Sequence, residues 1–388
     1  MLDAQTRRGG QVMQFTFTEE QVEFRTVLRR FFEEMSPTSE VRRLMETEAG
    51  FEPAQWQRIS QELGLTGIHI PEAYGGQGFS FVELAIVFEE MGRRLACAPY
   101  FSSIGLASNA ILNTATEDQK RALLPGIATG DTHAALAFTE NSGRWESGGI
   151  EMTATEEDGG YKLNGAKSFV VDGATADLLI VAARKPGSQG DGSLSLFTVD
   201  ANAEGLTRLP LNVMDPTRKQ ARLTFNDVTG QLLGVEGGAA EPLRQTMLQA
   251  AVCLTNEMAG GAEALRESAL DYAMMRVQFG RQIASFQTMK HKQADMLLDV
   301  ELAKSAAYQA AQAAAENTPD FAATAHLAKA TMSDAYMQTA IHTTQIHGGI
   351  GFTWDNDTHL WFKRAKSSEV MLGTATWHRE QMLSHWAA

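Results

Sequence analysis

Arg276-Val277-Gln278-Phe279-Gly280-Arg281 and Gln345-Ile346-His347-Gly348-Gly349-Ile350-Gly351-Phe352 are the two stretches on which the fold of this chain turns. Each closes a long segment with helical periodicity. From about Pro242 the apolar residues recur at helical spacing; Gln278 to Phe286 interrupts them, and Thr318-Pro319 opens a further helix that Gly348-Gly349 ends. Three long helices and a shorter terminal one are therefore predicted. Arg276 closes the first and offers a planar fork of donors suited to a pyrophosphate; the alternative is that it caps its own helix C-terminus. Gly348, Gly349 and Gly351 allow a close approach to bare backbone, or simply cap a helix.

Upstream, the character of the chain changes twice. Thr18 followed by Gln21, and Thr116 followed by Gln119, are capping-box signals. Phe24, Val27, Leu28, Phe31, Phe32 and Met35 share a helical face, and Pro53 opens a helix that Gly64 ends. Near His133 short β-type runs begin: Ala134 to Phe138, Tyr161 to Leu163, Ser168 to Val171, Leu178 to Ala182, Leu194 to Val199 and Ala221 to Phe225. Asp158-Gly159-Gly160 and Asn164-Gly165 are turns between them. The order is α, then β, then α. It predicts an N-terminal helical domain over 1–132, a middle antiparallel, barrel-like β domain over 133–237, and a C-terminal four-helix bundle over 238–388, with clefts where they meet.

The 388 residues are 44% hydrophobic and 21% charged, an ordinary globular composition. A formal net charge of −14 argues against a nucleic-acid binder, which needs clustered Lys and Arg. Cys97 and Cys253 form no disulfide framework and no metal spacing, which points to a reducing cytoplasm. No run is long enough for a membrane span. Met1 to Gln14 has no apolar signal core and reads as a loose tail, with Met13 an alternative start.

Four segments together resemble the acyl-CoA dehydrogenase family, in the right order along nearly the whole chain. Ile70-Pro71-Glu72-Ala73-Tyr74-Gly75-Gly76-Gln77-Gly78 is similar to the family's IPEEYGGxG loop, and Phe138-Thr139-Glu140 to the start of its TEPGAGSD segment. The stretches at Arg276 and Gln345 match its RxxFG and QxxGGxGF motifs. The resemblance implies FAD as cofactor, an acyl-CoA substrate, and an electron-transfer flavoprotein or similar acceptor. It further implies a homotetramer or a heterotetramer with a related subunit, in which the pyrophosphate end of FAD reaches a neighbouring chain. By the same resemblance Arg276, Gln278, Phe279, Gln345, Gly348 and Gly349 hold the dinucleotide. Thr139 bonds the flavin edge with Phe138 nearby, Phe169 takes the place of a flavin-covering Trp, and Thr374 belongs to the same site.

The reaction that the family carries out needs a base for the α-proton, a flavin to take the β-hydride, and hydrogen bonds to the thioester carbonyl. The family's base sits in a Tyr-Glu-Gly-Thr loop, which here reads Met371-Leu372-Gly373-Thr374. Leu372 takes no proton, although its backbone N–H still suits a thioester oxygen. The position on the first long C-terminal helix where some relatives keep the base is Ala250, followed by Ala251 where a CoA-binding basic residue is usual. Glu257, two turns on and roughly 10 Å along the same face, is the nearest carboxylate. It is the candidate base if it faces the cleft, and an ion-paired helix residue if it does not. The small residues Ala250, Ala251, Gly260 and Gly261 suggest room for a bulky acyl group. Arg144 is a candidate phosphate contact, and His378 a second candidate base or a helix-packing residue. Three readings stay open: a dehydrogenase with a displaced base, a partner subunit whose base lies on another chain, and a flavin monooxygenase relative.

Overall fold

The computed structural model describes residues 16–157 and 159–386, so Met1 to Gln14 and Met13 lie outside the described residues. Helix α1 (Glu19–Met35) starts at Thr18, whose hydroxyl accepts from the Gln21 N–H while the Gln21 side chain accepts from the Thr18 N–H. That is the predicted capping box. Helix α2 (Thr38–Met45) follows. Helix α3 (Pro53–Gln57) has Pro at its first turn and runs on as a π-type turn to Glu62; Gly64, at φ +65°, ends it. Helix α4 (Phe81–Arg93) is buried along nearly its whole length. A π-type segment over Phe101–Ser108 leads into α5 (Asn109–Thr114), and α6 (Glu117–Thr129) carries the second capping box.

The β domain is built from β1 (Ala134–Ala137), β2 (Thr153–Glu157), β3 (Gly160–Val171), β4 (Leu178–Arg184), β5 (Leu194–Asp200), β6 (Leu206–Pro210) and β7 (Gln220–Leu233). Their order is β1-β4-β2-β3-β7-β5, with β6 on the side of β7. Because β5 pairs with β4 as well as β7, the sheet closes on itself as a barrel around Leu163, Val181, Phe197 and Phe225. Most pairings are antiparallel, but β1 runs parallel to β4, and β2 meets β4 in parallel at Thr153 and Arg184. The runs at Tyr161 and Ser168 form one strand, β3, whose register against β7 shifts near Gly165 and again before Val170. Strands β2 and β6 lack the apolar signature. The first is mostly exposed Thr and Glu, and the second is an edge strand ending in Pro210.

The last third is α7 (Ala240–Met275), the hairpin β8 (Val277–Gln278) and β9 (Arg281–Gln282), α8 (Gln287–Glu316), α9 (Phe321–His347), α10 (Thr358–Val370) and α11 (Ala375–Trp386). Phe279 and Gly280 turn the hairpin at φ +55° and +75°. The expected single terminal helix is two helices, divided by the Met371–Thr374 loop.

Close helix crossings account for the small residues of α7. A Cβ on Gly260 would collide with the Glu89 carbonyl of α4, one on Gly92 with the Glu257 carbonyl, and one on Gly261 with the Tyr336 ring of α9. These glycines bring helices together rather than making room for substrate, which corrects the expectation drawn from their size. A Gly260→Ala variant is expected to lose about 1–3 kcal/mol of stability through overpacking. Gly349→Ala, where an added Cβ meets nothing, should stay within about 0.5 kcal/mol of the parent. Urea midpoints at constant m-value measure both.

Candidate active site

A cleft of about 430 Å³ opens beside the end of β1. Phe138 lines it from β1, Leu243, Met247 and Ala251 from α7, Leu372 from the loop before α11, and Trp377 and His378 from α11 itself. The strand end is held firmly. Buried Lys167 donates from Nζ to the Phe138 carbonyl (3.1 Å) and to Glu140 Oε1 (2.7 Å). Glu140 in turn accepts from the N–H groups of Glu151 (2.9 Å) and Met152 (3.0 Å), and the Thr139 carbonyl accepts from Ser168 N–H (2.8 Å). Burial lowers the Lys167 pKa to about 8 against the opposing pull of Glu140. The Thr139 hydroxyl has no partner among the described residues. Phe169 leaves the β3 ladder at φ +58° and stands 48% exposed. For a residue with a Cβ that backbone costs roughly 1–2 kcal/mol. An aromatic held outward at such a cost suits a planar ligand.

The loop at Leu372 is strained too, with Leu372 at φ +62° and Gly373 at φ +112°. The Leu372 carbonyl points inward to His378 Nε2 (3.2 Å), and the Gly373 carbonyl accepts from Lys329 Nζ (3.3 Å). The Leu372 N–H donates to none of the described residues. Thr374 is exposed, and its hydroxyl accepts from Trp377 N–H at 3.4 Å.

Glu257 does not face this cleft as a free base. It lies in a buried cluster where Arg218 donates to both of its oxygens and Arg364 donates at 2.6 Å. Asp215 accepts from Arg364 Nε at 2.6 Å, and Thr217 Oγ1 accepts from Arg364 Nη2 at 2.6 Å. Two guanidiniums occupy both of its oxygens, so the ion-paired alternative holds. Sequence reading missed Arg218, Arg364 and Asp215, whose partners lie on separate elements far apart in the chain. The carboxylate that does line the cleft, Glu146, is bound to Arg144 (2.7 Å) and Trp377 Nε1 (2.8 Å), and those bonds lower its pKa. Arg144, the candidate phosphate contact, pairs with this carboxylate and is more than half exposed. His378 is buried and packs into a pair with His326, Nδ1 to Nδ1 at 2.8 Å.

The other predicted residues gather elsewhere. Arg276, the C-cap of α7, donates its backbone N–H to the Tyr272 carbonyl (2.8 Å), while its exposed side chain bonds to none of the described residues. Phe279 is 92% exposed at the hairpin tip. Gln278 is exposed and bonds only to its neighbour's carbonyl. Gln345 accepts from Lys292 Nζ (2.9 Å) at the end of α9. A Cβ on Gly280, Gly348 or Gly349 would meet nothing within 4 Å; the backbone itself favours glycine at Gly280 (φ +75°) and Gly348 (φ +63°), whereas Gly349 is bare without such a constraint. A cation, bare backbone and an outward aromatic together fit a dinucleotide phosphate region. This group does not join the first. Ala251 and Arg276 lie on one helix, roughly 38 Å apart at 1.5 Å per residue.

The fold and these two groups define a flavin-dependent dehydrogenase architecture, and comparison with known proteins agrees. The chain matches the N-terminal, middle and C-terminal domain models of acyl-CoA dehydrogenase over residues 18–131, 135–228 and 241–386. It is 33% identical to an acyl-CoA dehydrogenase of Bacillus subtilis over 92% of this chain and 95% of that one. It is 32% identical to acyl-CoA dehydrogenase IpdE2 of Mycobacterium tuberculosis, covering 86% of each. The structure of the Tcur3481–Tcur3483 steroid ACAD superposes with a TM-score of 0.85 at 28% identity, over 95% of this chain and 98% of that one. This chain belongs to the acyl-CoA dehydrogenase family, a family of oxidoreductases with FAD as cofactor.

Two outcomes are expected. Glu257→Gln should cost about 3–5 kcal/mol, because it leaves buried guanidiniums without their counter-charge; a thermal or urea melt reads it, and an unchanged midpoint contradicts the cluster assignment. Burial lowers the pKa of His326 to about 4 and that of His378 still further. The unfolded chain therefore binds more protons than the folded one below about pH 6.5. Stability is fully present above that pH and should fall as pH drops toward 4. His378→Gln should flatten the slope in urea melts across that window.

Proposed function

We propose that this chain is a subunit of an FAD-dependent acyl-CoA dehydrogenase assembly in which a related chain supplies the base. The observation that carries this reading is the lining of the cleft: Leu372, which by resemblance takes the family's base position, borders it without a carboxylate, and Glu146 is bonded to Arg144 and Trp377. The similarity to the steroid ACAD named for two chains supports it. So does the distance between the two groups of cofactor residues, since each then serves as half a site.

In this reading Arg276, Gln278, Phe279, Gln345, Gly348 and Gly349 reach across to the dinucleotide end of FAD in a neighbouring subunit. Arg276 supplies the bidentate charge that phosphates take best, and the bare glycine backbone supplies N–H donors without steric cost. Thr139, Phe138, Phe169 and Thr374 shape the flavin end of this chain's own half-site. When bound, FAD accepts the hydride from the acyl β-carbon and passes electrons to a separate acceptor such as an electron-transfer flavoprotein. The exposed apolar residues at the same end as Arg276, among them Met275, Phe279 and Phe352, suit burial against the neighbour.

Expression alone and with a related acyl-CoA dehydrogenase chain tests the proposal by anaerobic bleaching of the flavin with ring-bearing and straight-chain acyl-CoAs. Bleaching is expected only for the assembly; bleaching by the single chain at a comparable rate would overturn the reading. Arg276→Ala in the assembly should weaken FAD at least about tenfold, the loss of a charge-assisted hydrogen bond of about 1.5–3 kcal/mol.

A further inference from the structure

A second pocket lies away from the cleft, at the far end of α7. It holds about 550 Å³ and is walled by the ends of α4, α7 and α9 and by the segment from Asp355 to Trp361. Arg42 of α2 holds that segment in place. Its Nε donates to Asp357 Oδ1 (2.7 Å), and its Nη2 donates to the carbonyls of Trp354 (2.6 Å) and Asn356 (3.3 Å). His347, which lines the pocket from α9, is 7% exposed and stacks on Tyr272, with ring centroids 4.3 Å apart. Its Nδ1 lies 2.9 Å from the Thr343 carbonyl, which can only accept, so Nδ1 carries the proton. Burial lowers the pKa of the ring. The neutral tautomer leaves a lone pair on Nε2, which bonds to none of the described residues. The Trp361 Nε1–H is also buried in the pocket wall, without an acceptor among the described residues. The charges of the lining do not balance. Arg93 pairs with Glu267, Arg94 with Glu33, and Asp357 with Arg42. Asp271 of α7 and Asp355 pair with none of the described residues. The pocket thus presents two free carboxylates, an imidazole lone pair and one indole donor. No group of three or more His, Cys, Asp and Glu side chains among the described residues is arranged to hold a metal ion, so the cation that fits is an organic one.

We propose that this pocket receives an arginine side chain of the neighbouring chain, its charge balanced by Asp271 and Asp355 and one N–H given to His347 Nε2. The inference rests on the reading that the Arg276 end of this chain lies against a neighbour. Acceptors on three separate elements call for several donors held in a plane. A guanidinium supplies five, whereas an ammonium is a point charge. A backbone carbonyl beside the arginine matches the Trp361 N–H. The source is argued from the surroundings. Met274 and Met275 of α7, and Phe352 and Trp354 ahead of α10, stand exposed on the elements that wall the pocket. A partner chain covers such apolar residues as it fills the pocket; a free amine leaves them in water. The exchange is then reciprocal, since this chain lends Arg276 to its neighbour's cofactor and takes an arginine in return.

The test has two arms. In the first, the full single chain is titrated with N-acetyl-arginine amide and with N-acetyl-citrulline amide, which keeps the shape and loses the charge. The indole N–H resonance of Trp361, assigned through Trp361→Phe, reports binding. Saturable binding of the arginine compound is expected, at least about tenfold tighter than that of the citrulline compound. In the second, sedimentation measures the dissociation constant of the assembly. The double variant Asp271→Asn with Asp355→Asn removes the charge. His347→Phe keeps a ring to stack on Tyr272 and removes the acceptor. Each should weaken assembly at least about tenfold at an unchanged melting temperature of the single chain, and added salt should narrow the gap between the parent and the aspartate variant. Equal or absent binding of the two probes, or an assembly indifferent to both variants, overturns the inference. The Arg276 reading fails separately: it falls if Arg276→Ala leaves FAD affinity unchanged, whatever these two arms return.

Discussion

One rigid helix sets the terms for everything else in this molecule. Helix α7 runs 36 residues without a break, from the cleft beside Leu372 to the exposed hairpin at Arg276. Packed against α4, α8 and α9, it cannot bend its two ends toward one another. Residues that suit a flavin ring and residues that suit its dinucleotide tail are therefore held apart by much of the length of the rod, roughly 38 Å from Ala251 to Arg276 at 1.5 Å per residue. In the proposed reading, a chain built this way completes its chemistry beside another chain.

The interior of the same helix explains why it stays straight. Gly92 and Gly260 let α4 and α7 touch backbone to backbone. A few residues away, Glu257 binds α7 to Arg218 after the barrel's β6 strand and to Arg364 of α10. Charges buried this deeply are costly to desolvate and gain their stability from mutual pairing. The cluster ties barrel, long helix and terminal helices into one unit, so the strained loop at Leu372 rests on a fixed base.

Much of this was legible in the sequence, and for physical reasons. Capping boxes at Thr18 and Thr116 are local, and each closes within one helical turn. The glycines at 348 and 349 and the Arg276 hairpin are local as well, and their open placement is what their composition implies. The α-β-α order followed from a change in periodicity. What escaped were long-range pairings and weak patterns. Strand β6 is short, largely exposed and ends in proline, the parallel contacts of β1 and β2 with β4 leave no local mark, and the division of the last helix depends on carbonyls held by Lys329 and His378. Glu257 could be located on a helix face, yet its partners Arg218 and Arg364 come from other elements, and only the fold brings them together. Lys329 did leave a trace, a lone cation in the alanine-rich run Ala325 to Ala330, but its meaning depends on the loop above it.

The central claim is that the Arg276 hairpin grips a cofactor whose ring is seated in a different chain. Amide hydrogen exchange on the assembled protein, with and without FAD, addresses it most directly. The account predicts that FAD slows exchange at residues 276–281 and 345–351 of this chain in the assembly and leaves them unchanged in the isolated chain. A hairpin that exchanges at the same rate while the assembly holds its full complement of flavin would contradict it.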